Sequence, residues 1–357
     1  MVKLLSFLLL FSLTSCSWQK FNPFADADTS PDKVIQNFDL GDDIINKFST
    51  EKKEVPIATV VKAKKISTSK KTKKIKQIIK DKTVKKKNSK KVIVEDYVEP
   101  TKSIYPEGYP EVFKNYDVES KKLWARTKTL NPVGEKTFLD INYMGVVVGK
   151  IAITIKPIVK IAGEDAYHYY AKLKSAPFYK YVYSLDDVIE SFVRVKDNLP
   201  LKYSLIQRES KQSIDDIQLF DRDKLMTYFR LRKVKRGKKS FKKIDTVIPL
   251  YSQDALSAIF MLRSLPLKKG DKYNVPIVTR GKISLMKMEV LGIETISTKI
   301  GKRKAFKINA ITQYSGDLVK KGHMVYWISA DSDRIFLQFK AVIKLGSISG
   351  DIVSYKK

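Results

Sequence analysis

Cysteine is nearly absent: the 357-residue chain holds one, Cys16. Without a second thiol, disulfides and zinc–thiolate sites are excluded together, and a packed core must supply the stability. Histidine is almost as scarce, with only His168 and His323, and neither stands at metal-ligand spacing with the other and a carboxylate. His168 lies in the strand-like run Tyr167-His168-Tyr169-Tyr170, a setting that suits a structural imidazole. No glycine-rich phosphate loop and no nucleophile-elbow pattern occurs. Asp186-Asp187 and Asp215-Asp216 are neighbours whose side chains leave a strand on opposite faces, so neither pair converges as glycosidase acids must. A long apolar run is missing as well. Leu4 to Leu13 covers about half of what a bilayer-spanning helix needs. The sequence therefore carries no motif for enzyme, cofactor or metal chemistry.

Positive charge is abundant. Lys and Arg number 69 against 38 Asp and Glu, a net charge of +31. Up to residue 120 there are 23 basic and 16 acidic residues, +7, and beyond it 46 and 22, +24. The excess belongs mostly to the carboxy-terminal part, where it favours anionic partners.

Met1-Val2-Lys3, the apolar stretch to Leu13 and the small residues Thr14-Ser15 before Cys16 have the layout of a secretory signal. Leu13-Thr14-Ser15-Cys16 resembles the lipobox of bacterial lipoproteins at all four positions. The resemblance implies cleavage of residues 1–15 and acylation of Cys16, whose two or three chains would hold the protein to a membrane. Ser17 follows where an Asp would favour inner-membrane retention in the proteobacterial lipoprotein family, so the resemblance implies an outer-membrane anchor facing the periplasm. Export argues against nucleic acid as a partner.

Residues 16–120 read as a mostly disordered tether. Val34-Ile35, Ile44-Ile45 and Phe48 could form a short amphipathic turn, but they are too few to build a core of their own. Residues 62–91 contain fifteen Lys and one Asp, a block that serves either as a self-repelling spacer or as a strap on anionic polymers. Read as a coil, roughly 100 tether residues reach about 50 to 60 Å.

Residues 121–357 form one basic, strand-rich domain. Ile151, Ile153 and Ile155 alternate with polar residues, as do Met286, Met288 and Val290, then Phe306, Ile308 and Ala310, then Leu337, Phe339, Ala341 and Ile343. Glycines and Asp331-Ser332-Asp333 break the chain at meander intervals, among them Gly145, Gly163, Gly237, Gly292 and Gly301. Ser252-Gln253-Asp254 caps an apolar helix that Pro266 stops, and a weaker helix is expected around Pro177 to Tyr183. The predicted fold is mainly β: a curved antiparallel sheet, half-barrel-like, with one or two helices packed on its concave side.

Gln253-Asp254-Ala255-Leu256-Ser257-Ala258, Leu262-Arg263-Ser264-Leu265-Pro266-Leu267 and Gly270-Asp271 resemble the central signature of the domain-of-unknown-function 3108 family. Asn198-Leu199-Pro200-Leu201, Val290-Leu291-Gly292, Trp327-Ile328-Ser329 and Asp333-Arg334-Ile335 extend the likeness over roughly residues 136 to 355. The resemblance implies an exported protein of Gram-negative bacteria and lends no catalytic residue.

Two candidate sites follow. Arg230, Arg232, Lys233, Lys235, Arg236, Lys238, Lys239, Lys242 and Lys243 surround Gly237, where a hairpin would form an anion-attracting prong; lysines on an edge strand would serve solubility equally well. Phe178, Tyr179, Tyr181 and Tyr183 beside Phe260 and Met261 would line an apolar groove between helix and sheet, or fill an ordinary core. The expected role is non-enzymatic: a basic periplasmic domain binding an anionic envelope component, such as peptidoglycan or lipopolysaccharide, or an envelope protein. The alternative is a half-barrel carrier for an acyl chain or other apolar ligand.

Overall fold

A computed structural model describes residues 34–36, 38–52, 104–314, 321–342 and 346–357. Cys16 and the Lys-rich block at 62–91 lie outside the described residues. A short helix α1 (Asp42–Lys47) and strand β1 (Glu51–Lys52) precede helix α2 (Glu111–Trp124). Eight strands follow: β2 (Lys136–Tyr143), β3 (Val146–Ile161), β4 (Glu164–Ser175), β5 (Asp186–Arg194), β6 (Pro200–Glu209), β7 (Gln212–Asp221), β8 (Met226–Lys235) and β9 (Lys238–Val247). Helix α3 (Ala255–Ser264) then leads into β10 (Lys272–Thr279), β11 (Lys282–Thr298), β12 (Gly301–Tyr314), β13 (Lys321–Ser329), β14 (Phe336–Val342) and β15 (Ser347–Lys356).

The named strands all pair antiparallel, in the order β10-β11-β12-β13-β14-β15-β2-β3-β4-β5-β6-β7-β8-β9, with β1 added beside β3. Two meanders are thus joined where β15 pairs with β2, and β9 and β10 are the end strands. The fold is the mainly β, curved antiparallel sheet with a packed helix that the alternation predicts.

The alternating residues of β3, β11 and β12 sort as read, and Ile343 lies outside the described residues. Met286, Met288, Val290, Ile308 and Ala310 are buried in one cluster with Met261 and Leu262 of α3. Ile155 and Tyr169 pack with Leu256 and Phe260 on the same helix. Two readings need correction. Gly292 interrupts the register of β11 without ending the strand, so it marks a bulge in place of the expected break. Leu337 packs with Trp327 and Ile352, whereas Phe336 and Phe339 belong to the α3 cluster, because a register shift at Trp327/Ile328 turns β14.

The largest departure lies in the presumed tether. Val34, Ile35, Phe38, Leu40 and Phe48 are buried against Val159, Phe192, Ile217 and Leu219 of the sheet. Lys47 bonds Asp221 at 3.1 Å and Asp223 at 3.0 Å, and buried Lys202 donates to the Phe48 carbonyl at 3.1 Å. This segment occupies one sheet face and α3 the other: Phe192, Ile217 and Leu219 meet the strap, while Ser191 bonds Asp254 of the α3 cap. Covered on both faces, β7 is buried at every residue from Ile214 to Asp221. Helix α2 likewise begins at Glu111, ahead of the expected boundary, and buries Leu123.

Candidate functional site

The basic stretch forms a hairpin of β8 and β9. Arg236 and Gly237 have φ of 50° and 77°, the two left-handed residues of a type I′ turn, and Lys235 pairs with Lys238 across it. The nine cations divide in two. Arg230 is buried, donates to both oxygens of Asp245 and reaches the Asp39 carbonyl of the strap at 3.3 Å. Arg232 bonds Asp215 from Nη2 at 2.5 Å, and Arg208 holds the other Asp215 oxygen at 2.6 Å. These two arginines are tied down by carboxylates, which removes them from the set of free cations.

Lys233, Lys235, Arg236, Lys238, Lys239, Lys242 and Lys243 form no ion pair with any described residue. From Lys235 onward all of these are exposed, and so is Phe241, at 69 %. Because β9 is an end strand, its lysines also bar another chain from adding to the sheet. That role belongs to β9, Lys238 and Lys239 included; Lys235 and Arg236, on the end of β8 and in the turn, lie off the edge strand.

The apolar groove does not form. Phe260 stacks on Tyr169 with ring centroids 3.8 Å apart, and Met261 joins the main core. The other four residues occupy the β4–β5 connection, around a 3-10 turn at Tyr179–Tyr181. Phe178 and Tyr181 are 74 % and 82 % exposed, and Phe178 meets Tyr179 edge-on. Aromatic clustering along the chain reflected a surface turn, with no helix face opposite. A recess between α3, Trp124 and the sheet is about 10 Å³, room for about one water, so no carrier-sized space opens at that side of the helix.

The imidazoles are far apart in the sheet, on β4 and β13. Nε2 of His168 lies 2.6 Å from Glu190 and its ring stacks on Phe192; burial lowers its pKa against the pull of Glu190. His323 is exposed and meets Asn309 at 2.6 Å. Asp215 and Asp216 divide between the two faces, the first held by Arg208 and Arg232, the second by Arg280 at 2.7 Å. Among the described residues no three His, Cys, Asp or Glu side chains stand together as a metal site.

The signature residues gather around α3. Asp254 accepts from the Leu256 and Ser257 amides while Ser257 returns a bond to the Asp254 amide, a capping box. Gln253 pairs with Ile277 on the outer edge of β10 and bonds the Asn198 carbonyl. Arg263 is bidentate to buried Glu135, at 2.5 and 2.8 Å, and reaches the Asp333 carbonyl. These polar groups fix the helix inside the sheet, a structural duty.

No curated protein matches the chain. Among solved structures it is similar to a β-barrel-like protein of domain of unknown function DUF1849 from Brucella abortus, 9% identical, over 63% of this chain and 97% of that one, with a TM-score of 0.41. It is also similar to a candidate lipoprotein from Parabacteroides distasonis ATCC 8503, 10% identical over 63% and 96% with a TM-score of 0.27. A candidate exported protein with a YmcC-like fold from Bacteroides fragilis NCTC 9343 is 10% identical over 65% and 100%, with a TM-score of 0.30. The family described as protein of unknown function (DUF3108) matches residues 139–353, the stretch from β2 to β15 whose signature residues surround α3, and the chain belongs to that family.

Proposed function

We propose that this protein is an exported, lipid-anchored, non-enzymatic protein of the cell envelope, attached to the outer membrane through Cys16 and facing the periplasm, whose basic domain binds an anionic envelope component. The single observation that carries the reading is the β8–β9 hairpin: seven cations without a carboxylate partner among the described residues, four of them within or beside the turn. An anionic polymer or headgroup supplies the missing counter-charge, and exposed cations of this kind give binding that weakens with salt. The small recess beside α3 favours surface binding over enclosure of an apolar ligand at that helix.

The test uses the whole chain with Cys16→Ser, applied to lipopolysaccharide and to peptidoglycan sacculi at low and at high salt. Retention at low salt, reduced several-fold by Lys235→Gln, Arg236→Gln, Lys238→Gln and Lys239→Gln together, supports the reading. Absence of salt-dependent retention on every envelope fraction removes it.

A further inference from the structure

Five successive hairpins, β14–β15, β2–β3, β4–β5, β6–β7 and β8–β9, turn at the same rim of the sheet. The register requires it: Tyr143 pairs with both Val146 and Ile348, Gly149 with Ser175, Leu185 with Glu209, and Gln212 with Lys235. Fourteen large apolar side chains are exposed among the described residues, and eight of them belong to these hairpin ends. Met144 is 77 % exposed and Val182 71 %, beside Phe178 and Tyr181, with Val342 and Phe241 on flanking hairpins. Large apolar side chains left exposed along one rim are a mark of an interaction site.

Charge follows the same division. Residues 144–146, 176–183, 210–211 and 235–241 contain six cations, Lys180, Lys211, Lys235, Arg236, Lys238 and Lys239, and no Asp or Glu. At the opposite rim, the turns at 162–165, 195–199, 222–225 and 330–334 contain six acidic residues against four cations, Lys196, Arg222, Lys224 and Arg334, and none of the exposed large apolar side chains. Lys180 lies over the Tyr181 ring at 5.0 Å and Lys211 over Tyr183 at 6.0 Å, so cation and aromatic face outward together. One rim is apolar and cationic; the turns of the other are polar and of mixed charge.

We propose that the apolar, cationic rim docks on an anionic phospholipid surface, with Met144, Phe178, Tyr181 and Val182 entering the headgroup region and the six cations meeting lipid phosphates. This deepens the anion-binding reading of the β8–β9 hairpin and rests on it. Cations alone fit any polyanion, but a polysaccharide or peptide polymer offers no apolar phase for four exposed side chains, whereas a bilayer interface accepts aromatic rings and phosphate-seeking lysines at one depth. Val34, already packed on the domain, stands 18 positions after Cys16, a span of at most about 65 Å when fully extended, so an anchored domain stays beside its membrane.

The full chain carrying Cys16→Ser and Phe178→Trp is mixed with vesicles of phosphatidylcholine, with and without phosphatidylglycerol, and its emission is compared with that of the Cys16→Ser parent. The expected result is a blue shift, with quenching by brominated acyl chains, that requires phosphatidylglycerol. Adding Met144→Ser and Val182→Ser to the Cys16→Ser parent lowers vesicle partitioning about tenfold and leaves the unfolding midpoint in place. Unshifted emission while the chain is bound to anionic vesicles or to isolated sacculi overturns rim insertion and leaves anion binding standing. Equal insertion into phosphatidylcholine alone overturns the role given to the cations. Failure to bind vesicles, lipopolysaccharide or sacculi removes both this proposal and the reading beneath it.

Discussion

Arg280 donates from Nε to Oδ2 of Asp216 at 2.7 Å, a bond between the β10–β11 turn and the middle of β7. Gln218, two residues further along β7, donates to the Val278 carbonyl and accepts from the Gly281 amide. Backbone pairing ends at β9 and at β10, and side chains bridge what the ladder leaves open. The pair is nearly dry on one side: Asp216 is 1 % exposed, and burial pushes its carboxyl up to about 6 although Arg280 pulls it down.

A carboxyl whose folded pKa exceeds its unfolded value of 3.8 binds its proton more tightly in the native state. Its contribution is fully present below about pH 4 and is lost as pH rises through about 6. Asp216→Asn abolishes that titration. Urea unfolding at a series of pH values should show the variant-minus-parent difference changing by about 2 kcal/mol between pH 4 and 7; parallel curves would contradict it.

The strap gives a second prediction. Ile35→Ala and Phe48→Ala each remove a side chain that is 1 % exposed, which should cost about 2 to 5 kcal/mol. Chemical denaturation measures the loss directly. A tether without contacts to the domain would leave the midpoint unchanged.

Arg263 and Glu135, 3 % and 5 % exposed, form a buried pair that Tyr355 joins through its hydroxyl at 3.1 Å. Removing one member leaves an uncompensated charge inside. Arg263→Ala should therefore destabilise by about 3 to 5 kcal/mol, and Arg263→Met with Glu135→Leu by distinctly less, since an apolar replacement of both partners avoids the stranded carboxylate. Equal losses in the single and double variants would show that the pair supplies net attraction beyond its own desolvation.

Much of this fold was legible in the sequence. Period-two alternation located strands such as β3, β11 and β12, and the capped apolar run between Ser252 and Pro266 located α3. The strap was not legible, because Val34, Ile35, Phe38, Leu40 and Phe48 are too sparse to make a core unaided; their partners are sheet residues more than a hundred positions later. Burial of β7 on both faces was hidden for the same reason. Asp215, Asp216, Gln218 and Asp221 look like surface residues along the chain, yet each is buried, with Arg208, Arg280, Val278 and Lys47 among their partners. The basic hairpin was read correctly as a hairpin, but the sequence could not separate Arg230 and Arg232, which answer Asp245 and Asp215, from the seven cations that answer nothing within the described residues. The rim was missed because its apolar residues come from turns separated along the chain. The run from Pro177 to Tyr183, apolar apart from Lys180 and lying between two strands, was its one local signal.

The claim that most needs testing is that the β8–β9 turn meets an anionic envelope component in the cell. A photo-crosslinking side chain at Lys238 reads this contact directly, with the same group at Ser332 on the opposite rim as reference. The account predicts adducts carrying an anionic lipid, lipopolysaccharide or peptidoglycan from position 238 and few from position 332. Equal labelling at the two positions, or adducts to protein alone, would contradict it.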